Sequence, residues 1–133
     1  MKYILILVLG LLLQTSAMCA ETEDETPTEQ KYQIRGKWVE FIRDPSQHLT
    51  LSSSCRDKKC QAFKALSEAS LKGLDEKLVG GAQPGAVVCR QKLHAELQTG
   101  KDEDGNETGF CKFKDGSLVG TGTISYYAEH AKK

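Results

Sequence analysis

The apolar residues in the first half of the chain follow a β-strand pattern. Tyr32 and Ile34 alternate with polar residues, and the stretch "KWVEFIR" after them is rich in residues of high β propensity. Asp44-Pro45 then favours a turn, and Leu49 and Leu51 lie on one face of the next segment. The pattern predicts an antiparallel β-hairpin.

The spacing of apolar residues becomes helical between residues 52 and 81. The serines from Ser52 to Ser54 can cap a first turn, and Gly80 and Gly81 end the segment. The spacing therefore predicts one longer amphipathic helix. Its apolar face comprises Phe63, Leu66, Ala69, Leu71, Leu74 and Leu78.

The last third of the chain changes pattern three times. Pro84 suits the first turn of a second, short helix. The alternation from Leu93 to Leu97 predicts a strand, and the segment from Phe110 to Phe113 predicts its partner. The final stretch, "TISYYAEHAKK", is typical of a short amphipathic helix. A helix-hairpin-helix module is expected here.

These elements predict an α+β fold: a small disulfide-stapled domain with an N-terminal β-hairpin, one longer amphipathic helix and a C-terminal helix-hairpin-helix module. Gly36-Lys37-Trp38 resembles the start of lipocalins, but that barrel needs more strands than this chain supplies. Trp38 is therefore expected in the core. The predicted divisions are a signal peptide at 1–20, a flexible acidic leader at 21–30, the N-terminal hairpin plus helix at 31–82, and the C-terminal module at 83–133.

The N-terminus has the layout of a secretory signal peptide. A lysine precedes an apolar run from Tyr3 to Leu13, and small residues follow it. The run is too short to span a bilayer comfortably. Cleavage at or just after Cys19 gives an exported chain, periplasmic or secreted. A lipid anchor on Cys19 is the alternative, although Ser16 and Met18 do not fit that processing site.

Composition narrows the class of partner. The chain carries 18 basic and 18 acidic residues, so its formal net charge is zero. Without a basic patch, no nucleic-acid partner is predicted. After the signal peptide, no long apolar or basic amphipathic segment is visible, so membrane insertion is not predicted either. The leader from Glu21 to Gln30 has no large apolar residue and is expected to be flexible.

Loss of Cys19 with the signal peptide leaves an even number of cysteines. In an oxidising compartment such a set predicts two disulfides. Spacing alone leaves the connectivity among them open. The cysteines are Cys55, Cys60, Cys89 and Cys111.

Three short motifs occur in the C-terminal third: "QPGAVVC" ending at Cys89, Gly109 with Cys111, and "KDGS". On their order and spacing, the stretch from Gln83 to about Tyr127 resembles the haemolysin-like family of small domains of unknown function found on bacterial envelope proteins and lipoproteins. The resemblance implies a Cys89–Cys111 disulfide, which leaves the other two cysteines to pair. It implies no catalytic residues.

A candidate binding loop lies between the two predicted strands of this module. Its members are Lys101, Asp102, Asp104, Asn106 and Glu107. The two aspartates and the asparagine match the first, third and fifth ligand positions of an EF-hand loop. The match then fails, because Glu107 stands where the loop needs glycine. We predict no metal, no cofactor, and an exposed acidic hairpin tip.

Other chemistry-bearing residues form no recognisable constellation. His48, His94 and His130 are scattered and lack metal-ligand spacing. No nucleophile elbow or metalloprotease helix motif is present. The prediction is a non-enzymatic binding module of the cell envelope whose loop meets a protein partner of unknown identity. The alternatives are a secreted effector or haemolysin-like toxin, a protease inhibitor, and a weak hydrolase.

Overall fold

A computed structural model describes residues 26–132, and in it six antiparallel strands close into a barrel. Around the barrel the strands follow the order β1-β2-β3-β6-β5-β4. The strands are β1 (Thr28–Ile34), β2 (Lys37–Asp44), β3 (Leu49–Ser52), β4 (Glu96–Lys101), β5 (Glu107–Lys112) and β6 (Leu118–Gly120). Residues 1–20, predicted as the signal peptide with its Cys19 alternative, lie outside the described residues, as do residues 21–25 of the predicted leader. β1 begins inside that leader, at Thr28.

Within residues 26–132, three short α-helices cover one side of the barrel: α1 (Gln61–Ala65), α2 (Pro84–Gln91) and α3 (Thr121–Glu129). Single 3-10 turns occur at Pro45–Gln47, Ser53–Cys55, Leu66–Glu68, Asp75–Lys77 and Val79–Gly81. Pro84 is the first residue of α2, where a backbone N–H has no partner within the helix, so the lack of an N–H in proline costs no hydrogen bond. No helix within residues 26–132 has the length and apolar character needed to cross a membrane.

β1 and β2 form a hairpin with a two-residue turn. Arg35 and Gly36 both have positive φ, at 52° and 79°, which is the backbone that a tight hairpin turn requires. The two strands then pair along the whole of β1, from Ile34 opposite Lys37 to Thr28 opposite Arg43. A twisted ribbon of this length supplies one wall of the barrel.

The barrel interior is filled by aromatic side chains. The rings of Tyr32, Phe41 and Phe110 lie 4.5–5.4 Å apart, and they pack with Ile34 and Leu118. Gly100 makes room for them, because a Cβ at that residue would stand 2.8 Å from the Phe110 ring. The interior is therefore a packed core.

The opposite faces of the same strands pack against the helices. Side chains from β3, β5 and β6 meet α2 and α3 in a second, larger core. Its fully buried members include Cys55, Ala62, Val88, Cys89, Cys111, Val119 and Ile124. β5 and β6 thus carry buried apolar side chains on both faces, as expected where a sheet is covered on both sides: Phe110 and Leu118 face the barrel interior, and Cys111 and Val119 face the helices.

Two disulfides staple this core, and they confirm the predicted pairing. Cys89 in α2 bonds to Cys111 in β5, so the helix is tied to the barrel wall. Cys55 bonds to Cys60, which is also the N-cap of α1 and accepts a hydrogen bond from the Phe63 backbone N–H. Disulfides of this kind are typical of exported proteins, which fold outside the reducing cytosol.

The predicted α+β layout is wrong. The N-terminal hairpin and the C-terminal hairpin do not belong to separate substructures, because β1 pairs with β4 and β3 pairs with β6 to close one barrel. The barrel has six strands among residues 26–132, fewer than the eight of the lipocalin barrel, and the closure of this smaller barrel was not predicted.

The predicted longer helix is wrong as well. Helical backbone extends only from Gln61 to Ala65 and through a 3-10 turn to Glu68, and Ala69 is already extended. Gly73 has a φ of 77°, which an α-helix does not contain. The Ser52 hydroxyl does not cap a helix, because it accepts a hydrogen bond from the Leu118 N–H in the barrel wall.

Trp38 is not in the core. Its side of β2 faces solvent, and the residue is 54% exposed. The neighbouring Val39 and Phe41 supply the inward face of the strand instead, since successive side chains alternate across a sheet.

Candidate functional site

The candidate loop forms the turn between β4 and β5, and Asp102 organises it. One carboxylate oxygen of Asp102 accepts hydrogen bonds from the backbone N–H groups of Asp104 and Asn106, at 3.0 and 2.8 Å. The other accepts from the Asn106 side-chain amide at 3.1 Å. The Asp102 N–H donates to the Asn106 carbonyl, and the Gly105 N–H donates to the Asp102 carbonyl. The tip is therefore a preformed turn.

These bonds change the acidity of Asp102. Hydrogen bonds from the side chain and then the backbone of Asn106 hold the pKa of the Asp102 carboxyl below its usual value. Their donors stabilise the charged form more than desolvation disfavours it. The Asp102 carboxylate is thus ionised at neutral pH, with its oxygens engaged within the turn.

The other loop residues divide into two groups. Lys101 and Glu107 face each other across the base of the hairpin, with 3.6 Å between Nζ and Oε1. Both are more than half exposed, so the pair adds little stability. Glu103 and Asp104 are exposed at the tip, and neither forms an ion pair with any residue from 26 to 132.

Asp102 and Asn106, at the first and fifth EF-hand ligand positions, are hydrogen-bonded to each other in this turn. Within the described part of the chain, no group of three or more histidine, cysteine or acidic residues is arranged to hold a metal ion. The three histidines also lie apart from this loop. His48 and His130 stack on the Tyr126 ring, with centroid distances of 3.8 and 4.2 Å, and His94 lines a separate cleft.

A groove of about 380 Å³ runs beside the tip, and sequence reasoning missed it. Its walls are β1, the end of β2 and the turn itself. It is lined by Glu29, Gln30, Lys31, Tyr32, Arg43, Asp102, Glu103 and Asp104. The barrel brings these residues together, because Gln33 of β1 pairs with Lys101 of β4 and so places the tip beside β1.

Tyr32 and Arg43 give the groove its polar centre. The Tyr32 hydroxyl donates to the Gln30 side-chain oxygen at 2.8 Å. Burial raises the pKa of the Tyr32 phenol, the Arg43 charge opposes that shift, and Asp102 adds to it. Tyr32 therefore stays neutral and available for hydrogen bonding, while Arg43 forms no ion pair within residues 26–132. No sequence signal could have joined these residues to the loop, because strand order alone brings them together.

A second open cleft lies on the helical side. Its volume is about 670 Å³, and it runs between α1, the segment before β4 and the end of β5. Lys64, Lys112 and Lys114 line it together with Glu68 and Glu96, so charges of both signs are present. None of the loop residues predicted from sequence belongs to this cleft.

Comparison with known proteins gives no match: no protein-family model, curated protein or solved structure is similar to this chain. The resemblance to the haemolysin-like family stays a prediction.

Proposed function

We propose that this protein is an exported, non-enzymatic binding module of the bacterial cell envelope, and that the β4–β5 tip meets a protein partner. One observation carries the proposal: Asp102 holds the tip in a fixed turn that presents Glu103 and Asp104, both free of ion pairs within residues 26–132, beside an open polar groove. A surface of this kind favours recognition of a basic protein segment.

The rigidity of the tip supports a binding role. Both oxygens of the Asp102 carboxylate are used to fix the turn, so Glu103 and Asp104 need little reordering when a partner arrives. Binding by a preorganised loop loses less conformational entropy than binding by a loop that must first fold. The hairpin below the tip is tied to α2 through Cys111.

The cellular setting rests on the disulfides and on the expected signal peptide. Two disulfides favour export, and the finer location is either the periplasm or the external medium. Anchoring through a lipid on Cys19 is the alternative. In each case the tip would meet other envelope components in an oxidising compartment.

The test is a photo-crosslinking pull-down from envelope extract, with the oxidised protein carrying the crosslinker at Lys101, an exposed residue at the base of the tip, and with the same protein bearing the double change Glu103→Gln/Asp104→Asn. The variant removes the two charges but leaves every Asp102 hydrogen bond in place. We expect the yield of crosslinked partner to fall about tenfold in the double variant, because two charge-assisted contacts disappear.

The matched control is Glu68→Gln/Glu76→Gln, which removes the same charge from exposed residues away from the tip. It should keep the partner at the wild-type level. Equal yields from both double variants would refute the tip as the contact surface.

A further inference from the structure

β1 is paired unequally on its two sides. It pairs with β2 along all seven of its residues, but with β4 only at Gln33 and Ile34. β4 ends at Lys101, and the chain turns away through the tip. The edge of β1 from Thr28 to Lys31 therefore has no neighbouring strand on the β4 side within residues 26–132.

The hairpin geometry identifies which backbone groups this edge presents. The two-residue turn joins Ile34 and Lys37, and in such a hairpin that pair is hydrogen-bonded. In an antiparallel ladder, hydrogen-bonded and non-hydrogen-bonded pairs alternate. Tyr32 and Gln30 thus bond to β2, whereas the N–H and C=O groups of Glu29 and Lys31 point away from it.

These outward backbone groups have no other partner among residues 26–132. No hydrogen bond from a turn, loop or side chain among the described residues reaches the N–H or C=O of Glu29 or Lys31. Both residues are exposed, so water has access to this edge in the free protein. Two donors and two acceptors at strand spacing are what an added β-strand would need.

The open edge forms one wall of the groove described above. The tip stands beyond it with Glu103 and Asp104, and Arg43 lies within the groove. The side chains of Glu29 and Lys31 are already engaged on the outer face of the ribbon, with Arg56 at 2.9 Å and Glu40 at 3.9 Å. Among the described residues that line the groove, the charges left without ion pairs are thus mainly negative, which favours a basic segment.

We propose that the partner contributes an extended segment with basic side chains, and that this segment adds to the open edge of β1 as a further strand while its basic groups meet Glu103 and Asp104. This inference rests on the proposed function, since it assigns the binding mode of the same surface. Backbone hydrogen bonds supply affinity in this mode, and the charged tip selects the sequence.

The direct test is amide hydrogen exchange followed by NMR. The probe is a capped synthetic peptide of about eight residues in which lysine alternates with threonine or valine, long enough to cover the open edge. In the free protein, the amides of Glu29 and Lys31 should exchange fast and those of Gln30 and Tyr32 slowly. With saturating peptide, exchange at Glu29 and Lys31 should slow by about tenfold or more.

Two control peptides separate backbone pairing from charge. A version with N-methyl groups on alternate residues cannot donate to β1, and a version with glutamate in place of lysine has the wrong charge. Neither should protect Glu29 or Lys31. Equal protection by the N-methylated peptide would refute strand addition.

A matched pair of variants tests the edge itself. Lys31→Pro removes the outward N–H without removing a bond to β2, and proline is tolerated on edge strands at such positions. Lys31→Ala removes the side chain and keeps the N–H. The proline variant should bind the lysine peptide about fivefold to tenfold more weakly than the alanine variant, because one backbone hydrogen bond is lost. Circular dichroism shows whether each variant is folded, and Glu29→Pro replaces Lys31→Pro if the latter is not.

The outcomes separate the two proposals. Loss of the crosslinked partner with Glu103→Gln/Asp104→Asn, together with unprotected Glu29 and Lys31 amides, would overturn strand addition and leave the binding role in place. Raising the protein concentration without peptide is the last comparison. If it protects those amides and light scattering gives the mass of a dimer, the edge binds a second copy of this chain, and the assignment to a basic segment is overturned.

Discussion

The backbone of Gly85 in α2 lies against the carbonyl oxygen of Thr121 in α3. A Cβ atom at residue 85 would overlap that oxygen and would also stand 2.8 Å from the Ser125 hydroxyl. The Gly85 N–H donates to the same hydroxyl at 2.7 Å. The close approach of these two helices therefore depends on a glycine at this position.

Gly85→Ala should lower the free energy of unfolding by about 3 kcal/mol, because backbone atoms of α3 cannot move aside without disturbing the core. Chemical denaturation with both disulfides intact measures the change. Gly122→Ala in α3 is the control: a Cβ there meets open space, and alanine favours a helix, so stability should rise by up to about 1 kcal/mol. Similar effects at the two sites would contradict the crossing described here.

The aromatic interior gives a second prediction. Phe110→Ala should destabilise the protein by about 4 kcal/mol, since it empties the barrel at a fully buried ring that contacts Phe41 and Tyr32. Trp38→Ala removes a larger side chain from the exposed face of β2 and should cost less than about 1 kcal/mol. Thermal and chemical unfolding of both variants decide between an aromatic core and the Trp38 core expected from sequence.

Periodicity in the middle of the chain predicted burial correctly and helix wrongly. Leu66, Ala69 and Leu74 are buried, as the helical spacing requires. A series of short turns meets the same requirement, however, because each turn can direct one apolar side chain inward. Ala69 is extended and Gly73 has positive φ, and neither departure alters the pattern of apolar residues.

The closure of the barrel could not be predicted from the sequence, for a different reason. β3 and β6 share one paired position, Leu51 with Val119, and β6 has only three residues. So short a strand leaves no distinctive alternation. The turn at Asp102 was predictable from its aspartate, asparagine and glycine, but the groove beside it depends on the closure and so was not.

The two disulfides should differ in their effect on stability. Cys89 and Cys111 are 22 residues apart, whereas Cys55 and Cys60 are 5 apart. In the chain-entropy description the longer loop stabilises by about 3 kcal/mol and the shorter by about 2 kcal/mol. Paired cysteine-to-alanine variants, unfolded in denaturant, should follow this order. The reverse order would show that strain or residual structure in the unfolded chain dominates.

The tip gives a prediction about pH. Asn106→Ala should raise the pKa of Asp102 towards its usual value, because the first cause of the lowered pKa is removed. A carboxyl with a lowered folded pKa stabilises the fold above its unfolded pKa, and that contribution is lost as the pH falls through the folded pKa. The carboxyl should therefore contribute less stability in the variant, and the loss of that contribution should be complete at a higher pH than in the wild type. NMR titration of the Asp102 carboxyl carbon measures the shift. Glu96, whose lowered pKa depends first on Gln98, is the internal reference and should not move.

Both disulfides lie C-terminal to β3, so no covalent crosslink among the described residues holds the β1–β2 ribbon to the rest of the barrel. Its seam with β4 consists of two paired positions far apart in the chain, and such contacts form late because loop closure disfavours them. The C-terminal part of the chain, which contains both disulfides, therefore stays crosslinked when the pairing between β1 and β4 opens. The ribbon is the unit that we expect to detach first in local unfolding and to dock last when the newly exported chain folds.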